Sequence, residues 1–93
     1  MNDSAIWAQF FQKWPADLPQ RGVLVTVSGE QIPFSGFLRT NDTVLLERQT
    51  PDAVGARKVL MPYSQIASVK ITDPVSGDVF SSAGFRGKLV GHS

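Results

Sequence analysis

The run Gly22-Val23-Leu24-Val25-Thr26-Val27-Ser28-Gly29 is followed by Ile32-Pro33-Phe34-Ser35-Gly36-Phe37-Leu38 and by Asn41-Asp42-Thr43-Val44-Leu45-Leu46-Glu47. Two further apolar stretches, Val59-Leu60-Met61 and Ile66-Ala67-Ser68-Val69-Lys70-Ile71, flank Pro62-Tyr63-Ser64-Gln65. Five short apolar runs separated by turn residues predict a mainly β domain. The expected form is five strongly bent antiparallel strands making a small closed or nearly closed barrel.

Alternation within the runs selects a core. Val23, Val25 and Val27 share one phase of the first run, and Ile32, Phe34 and Leu38 one phase of the second. Val44, Leu46, Leu60, Ile66 and Val69 complete the expected interior. Pro33 lacks a ladder donor and belongs at a strand start or an edge, while Gly36 inside a strand pattern marks sharp bending or close backbone approach. The fifth run does not hold one alternation phase, so an irregularity is expected near Ala67-Ser68. Ser28-Gly29-Glu30 and Asn41-Asp42 supply turns, residues 50–56 form a loop, and residues 62–65 are short enough only for a tight turn or one 3₁₀ turn.

Upstream, residues 3–14 read as a short helix with Asp3 or Ser4 as N-cap and Ile6, Phe10, Phe11 and Trp14 at helical spacing. Pro15 stops it. A helix of this length is marginal alone, so its aromatic face is expected to cover an end or face of the barrel. The domain is therefore expected to span residues 1–73. Residues 74–93, rich in Gly and Ser with isolated Phe80, Phe85, Leu89 and Val90, are expected to be a weakly ordered tail.

The chain has 93 residues, which suits one domain and one core. Nine Lys and Arg against eight Asp and Glu leave a net charge of +1, which argues against a nucleic-acid binder dominated by electrostatics. The absence of cysteine excludes disulfides and thiolate metal sites and leaves the redox compartment open. No basic region followed by an apolar run opens the sequence, so a signal peptide is not expected. No apolar run approaches the ~20 residues that span a bilayer, so no membrane partner is expected and the cytoplasm is the expected location.

This order of a short helix and five strands, with a tight turn between the last two, resembles the Sm-like (LSm) family, which includes bacterial Hfq. The resemblance covers residues 4–73. Gly29, Phe34, Gly36, Leu38 and Asp42 fit the order of the first family motif. The first hairpin is about two residues longer than the family's. Val59-Leu60-Met61, the turn Pro62-Tyr63-Ser64-Gln65 and Ile66-Ala67-Ser68-Val69 look like the second motif.

The resemblance implies a homo-oligomeric ring in which the fourth strand of one subunit pairs with the fifth of the next. Here those are residues 57–61 and 66–72, with Val59, Leu60, Met61, Ile66, Val69 and Ile71 as interface candidates. It also implies a pore lined by Asn41, Asp42, Tyr63 and Gln65. The family's uridine-gripping asparagine is replaced by the Leu45-Leu46 region, and its Arg-Gly or Lys-His turn by Tyr63-Ser64-Gln65. Tyr63 is then either a base-stacking platform or an anchor packed at a subunit contact. Arg57 and Lys58, with Arg86 and Lys88 in the tail, offer a peripheral basic route to RNA.

No catalytic constellation accompanies these features. The single histidine, His92, lies beside the C-terminus. The carboxylates are scattered, with only Asp42 and Glu47 on one hairpin. Gly84-Phe85-Arg86-Gly87 lacks the strand–turn–helix setting of a phosphate loop, and Ser28, Ser35 and Ser64 have no base beside them. The expected function is a non-enzymatic, ring-forming Sm-like domain with weak nucleic-acid binding. The alternative is an oligomeric protein-interaction scaffold that binds no RNA. No cofactor, metal or small-molecule substrate is expected.

Overall fold

Alternating apolar residues place the chain in six antiparallel strands in two three-stranded sheets. The structure is a computed structural model and describes residues 3–89. One sheet has the order β2-β1-β6, from β1 (Gly22–Thr26), β2 (Gln31–Phe34) and β6 (Ile66–Lys70). The other has the order β3-β4-β5, from β3 (Gly36–Arg39), β4 (Thr43–Glu47) and β5 (Lys58–Pro62).

The sixth strand comes from one run divided in two. Residues 31–39 break at Ser35, so that β2 pairs with β1 while β3 pairs with β4. The ladder continues through the break, because the Ser35 N–H donates to the Glu47 carbonyl at 2.8 Å. β5 and β6 each bond one neighbour only, so the pairing describes two sheets without closure of one edge on the other.

The division at Ser35 changes which side chains enter the core. Ile32 and Phe34 point inward, and after the break Phe37 does so at 7% exposure, leaving Leu38 at 67%. Leu38 was expected inside, and a single alternation phase cannot survive a bend of this kind. In β1 the inward phase is Leu24 and Thr26, whereas Val23 and Val25 are half-buried and Val27 is exposed. Leu24 stands opposite Ile32 on one side and Val69 on the other, which aligns it with the interior. In β5, Met61 faces Val44 and is buried, while Leu60 faces Leu45 and is exposed. Ile32, Phe34, Val44, Leu46 and Ile66 lie in the core as expected, with half-buried Val69 packed against it.

Ala67 has no partner in β1, because Val25 opposes Ser68 and Thr26 opposes Ile66. This bulge is the expected irregularity, and it lets Ile66 and Val69, three residues apart, share the inner side.

Helix α1 (Asp3–Gln12) caps the gap between the sheets. Phe11 is fully buried, with ring-centroid distances of 4.9 Å to Phe37 and 5.8 Å to Tyr63. Trp14 joins them at 4.8 Å from Phe37, and its indole N–H donates to the Leu18 carbonyl at 2.9 Å. Residues 74–89 are not a featureless tail. They include a 3₁₀ segment (Gly77–Ala83) capped by the Ser76 hydroxyl, and Phe85 meets Phe10 of α1 edge-on at 6.1 Å. Val90 and His92 lie outside the described residues. No helix among the described residues is long and apolar enough to cross a membrane.

A forked ion pair joins the residue before β1 to the segment after β6, at one end of the first sheet. Arg21, just before β1, donates Nη2 to Asp73 Oδ1 at 2.6 Å and Nε to Oδ2 at 3.0 Å. This hydrogen-bonded pair holds the Asp73 carboxyl below its ordinary range.

Three outcomes follow from this packing. Leu46→Ala, at a fully buried site, should destabilise by about 2–5 kcal/mol in denaturant melts, and an unchanged midpoint would contradict the face assignment. Gly22→Ala should also destabilise, by about 1–3 kcal/mol, because a Cβ there runs into the Lys70 carbonyl oxygen. Asp73→Asn should lower the melting temperature near neutral pH. The depressed pKa makes the carboxylate most stabilising above its ordinary range, so the gap to wild type should close as pH falls through the folded value.

Candidate functional site

Two features stand out: the turn joining β3 to β4, and the free edges of β5 and β6. The turn is built around Thr40. Its hydroxyl accepts from the Thr43 N–H at 3.0 Å and the Asp42 N–H at 3.3 Å. Asp42 Oδ1 accepts in turn from the Thr40 and Thr43 hydroxyls, both at 3.1 Å. A short turn of Thr, Asn and Asp folds this way because hydroxyl and carboxylate oxygens replace backbone acceptors locally.

Tyr63 locks the second turn onto the first. Its N–H donates to the Asp42 carbonyl at 3.1 Å and its hydroxyl to the Thr40 carbonyl at 3.0 Å. Gln12 of α1 donates to the same carbonyl at 3.1 Å and accepts from Arg39 Nε at 3.3 Å. Helix, hairpin and 3₁₀ turn (Tyr63–Gln65) thus meet at one backbone oxygen. Burial pushes the Tyr63 phenol above its ordinary pKa, so it stays a donor.

The expected pore residues therefore separate. Asp42 and Tyr63 come together, and Asn41 is exposed beside them. The Tyr63 ring is 1% exposed against Phe11, so it presents no face for a base to stack on. Gln65 has an exposed side chain, and its carbonyl accepts from Val27 at the first sheet. Arg57 and Lys58 lie at the opposite end of β5 from the turn, where Lys58 is 3.7 Å from Glu47. Sequence patterns missed Thr40, Gln12 and Arg39; the Thr-Asn-Asp-Thr run at 40–43 signalled a self-capping turn, but nothing marked its link to α1.

The expected interface residues divide as well. Met61 and Ile66 turn their side chains into their own core, leaving only backbone for a partner. Val59, Val69 and Ile71 are half-buried, and Leu60 is 65% exposed. Leu60 ends a cross-strand row with Leu45 and Leu38 on the outer face of the second sheet. No cluster of His, Asp or Glu suited to a metal ion occurs among the described residues.

Tyr63→Phe should cost about 0.5–1.5 kcal/mol in urea melts while keeping the fold, the contribution of one hydrogen bond. Tyr63→Ala should cost about 3–5 kcal/mol, as for a truncated core aromatic. Equal, negligible losses would show that the ring is not part of the core.

No protein-family model, no curated protein and no solved structure matches the chain.

Proposed function

We propose that this chain is a non-enzymatic Sm-like domain whose function is assembly, a protein-interaction scaffold built by head-to-tail pairing of β5 of one copy with β6 of the next. The observation that carries the proposal is the pair of free edges. The two strands flanking the Tyr63–Gln65 turn are the outer strands of the two sheets, and each is bonded on one side only. An unpaired edge offers N–H and C=O groups to another chain.

Strand order supports the same reading. With β2 and β3 taken as one strand bent at Ser35, the order becomes β6-β1-β2/β3-β4-β5, with α1 packed across it. Because the two edges differ, their pairing is heterologous, and such contacts make a ring when the rotation closes. The half-buried Val59 and Val69 sit on the two edges, and exposed Leu60 adds apolar surface beside one of them.

RNA plays a minor part in this proposal. Asp42 sets a carboxylate at the turn, neither ion pair of the described residues involves it, and the Tyr63 ring is enclosed. Contact with RNA would fall to peripheral Arg57, Lys58, Arg86 and Lys88.

Light scattering of the full chain at micromolar concentration should give one mass, a whole-number multiple of 10.1 kDa larger than the single chain. Leu60→Asp should reduce that mass without loss of secondary structure by circular dichroism. A 10.1 kDa species for the unsubstituted chain would refute the assembly. Fluorescence anisotropy with a short oligouridine should show weak binding that disappears as salt rises. Submicromolar affinity that survives salt would restore the RNA function.

A further inference from the structure

Residues 74–89 return along α1 and leave a cavity of about 990 Å³ between the helix, the end of β6 and the tail. Ile6, Trp7 and Phe10 form the helix wall, and Val69 and Ile71 the sheet wall. Phe80, Phe85 and Leu89 close the third side. This side is a packed turn: Phe85 meets Phe80 at 6.0 Å and Phe10 at 6.1 Å. Leu89 crosses Gly77 so closely that a Cβ there would lie 2.8 Å from its Cδ1.

The fold leaves the cavity's apolar surface open. Ile6 is 51% exposed, Phe85 59% and Leu89 62%, so three large apolar side chains border one space while still in contact with water. Exposed Arg86 and Lys88 line the same space, with Asp78 as its one acid. Neither cation is in an ion pair among the described residues.

We propose that this cavity binds a small amphiphilic anion, an unbranched apolar chain bearing one carboxylate. The volume lies at the upper end of the range of about 300–1,000 Å³ for small-molecule sites, and apolar walls with a few polar groups are their usual make-up. Two cations against one acid leave a positive excess that suits one carboxylate head, and the walls suit its chain. The cavity is built by a single copy, so the proposal does not depend on assembly.

Isothermal titration of the full chain with octanoate, decanoate and dodecanoate, each below its micellar concentration, tests the proposal. Trp7 fluorescence gives a second readout. One ligand per chain is expected, with affinity rising up to about fourfold per methylene, the equivalent of ~0.8 kcal/mol. Dodecanoate should bind at least about threefold tighter than dodecanol, and added salt should narrow that margin. The double variant Arg86→Gln/Lys88→Gln changes exposed side chains only, and it should abolish the margin while keeping the chain-length dependence. Ile6→Glu, which sets a negative charge in the apolar wall, should weaken dodecanoate at least tenfold. Absence of saturable binding, a flat chain-length series, or equal affinity for dodecyltrimethylammonium would overturn the proposal. So would retention on phosphatidylglycerol vesicles without binding of free dodecanoate, which would identify a membrane surface instead.

Discussion

One strand that serves two sheets sets the terms for the rest of the molecule. At Ser35 the chain stops pairing with β1 and starts pairing with β4, and its N–H keeps a bond to Glu47 throughout. Four-residue strands on either side of the bend cannot hold a sheet alone. They depend on Phe34 and Phe37, three residues apart, both pointing into the space between the sheets. That space is filled from above by α1. Phe11 and Trp14 pack against Phe37, and Tyr63 joins from the turn between the two edge strands. Without the bend, Phe37 would face water and the helix would have no aromatic surface on which to dock.

The same packing positions the edges. Tyr63 is bonded by backbone and hydroxyl to the 40–43 turn, and Gln12 fixes that turn to the helix. The turn between β5 and β6 is thus anchored in the core, and the two strands leave it toward different sheets. A chain built this way carries two unlike, outward-facing edges at a set separation. This is the physical basis of the proposed head-to-tail assembly, in which Tyr63 stabilises the geometry and makes no contact with a ligand.

The tail adds a second layer on the far side of α1. Phe10 takes Phe85 as an edge-on neighbour, and Phe85 in turn meets Phe80. Helix α1 is therefore apolar on two sides, one sealed by the sheets and one only partly covered, and the partly covered side opens onto the cavity.

Local signals were legible where a residue has one physical option. The helix stops ahead of Pro15, Asn41-Asp42 makes a turn, residues 62–65 leave room only for a tight turn or one 3₁₀ turn, and the mixed phase of the last run foretold the bulge at Ala67. Ile32, Phe34, Val44, Leu46 and Ile66 were identifiable as core. Where both phases of a strand are apolar, alternation is symmetric and says nothing of which side is inside. Val23 and Val25 against Leu24, and Leu60 against Met61, were decided by cross-strand partners: Leu24 by Ile32 and Val69, Met61 by Val44. Phe37 displaced Leu38 because the bend at Ser35 reversed the phase and brought the ring beneath Phe11. Tyr63 had two local options, a surface ring or a packed one, and burial under a helix more than fifty residues earlier in the chain selected the second. The sequence by itself determined the helix, the apolar runs that became strands and the turns between them, because these follow from backbone chemistry over a few residues, but not the division of one run at Ser35 or the 3₁₀ segment of the tail. Which faces became interior, and which edges stayed open, depended on contacts between distant segments, and only the tertiary structure decided them.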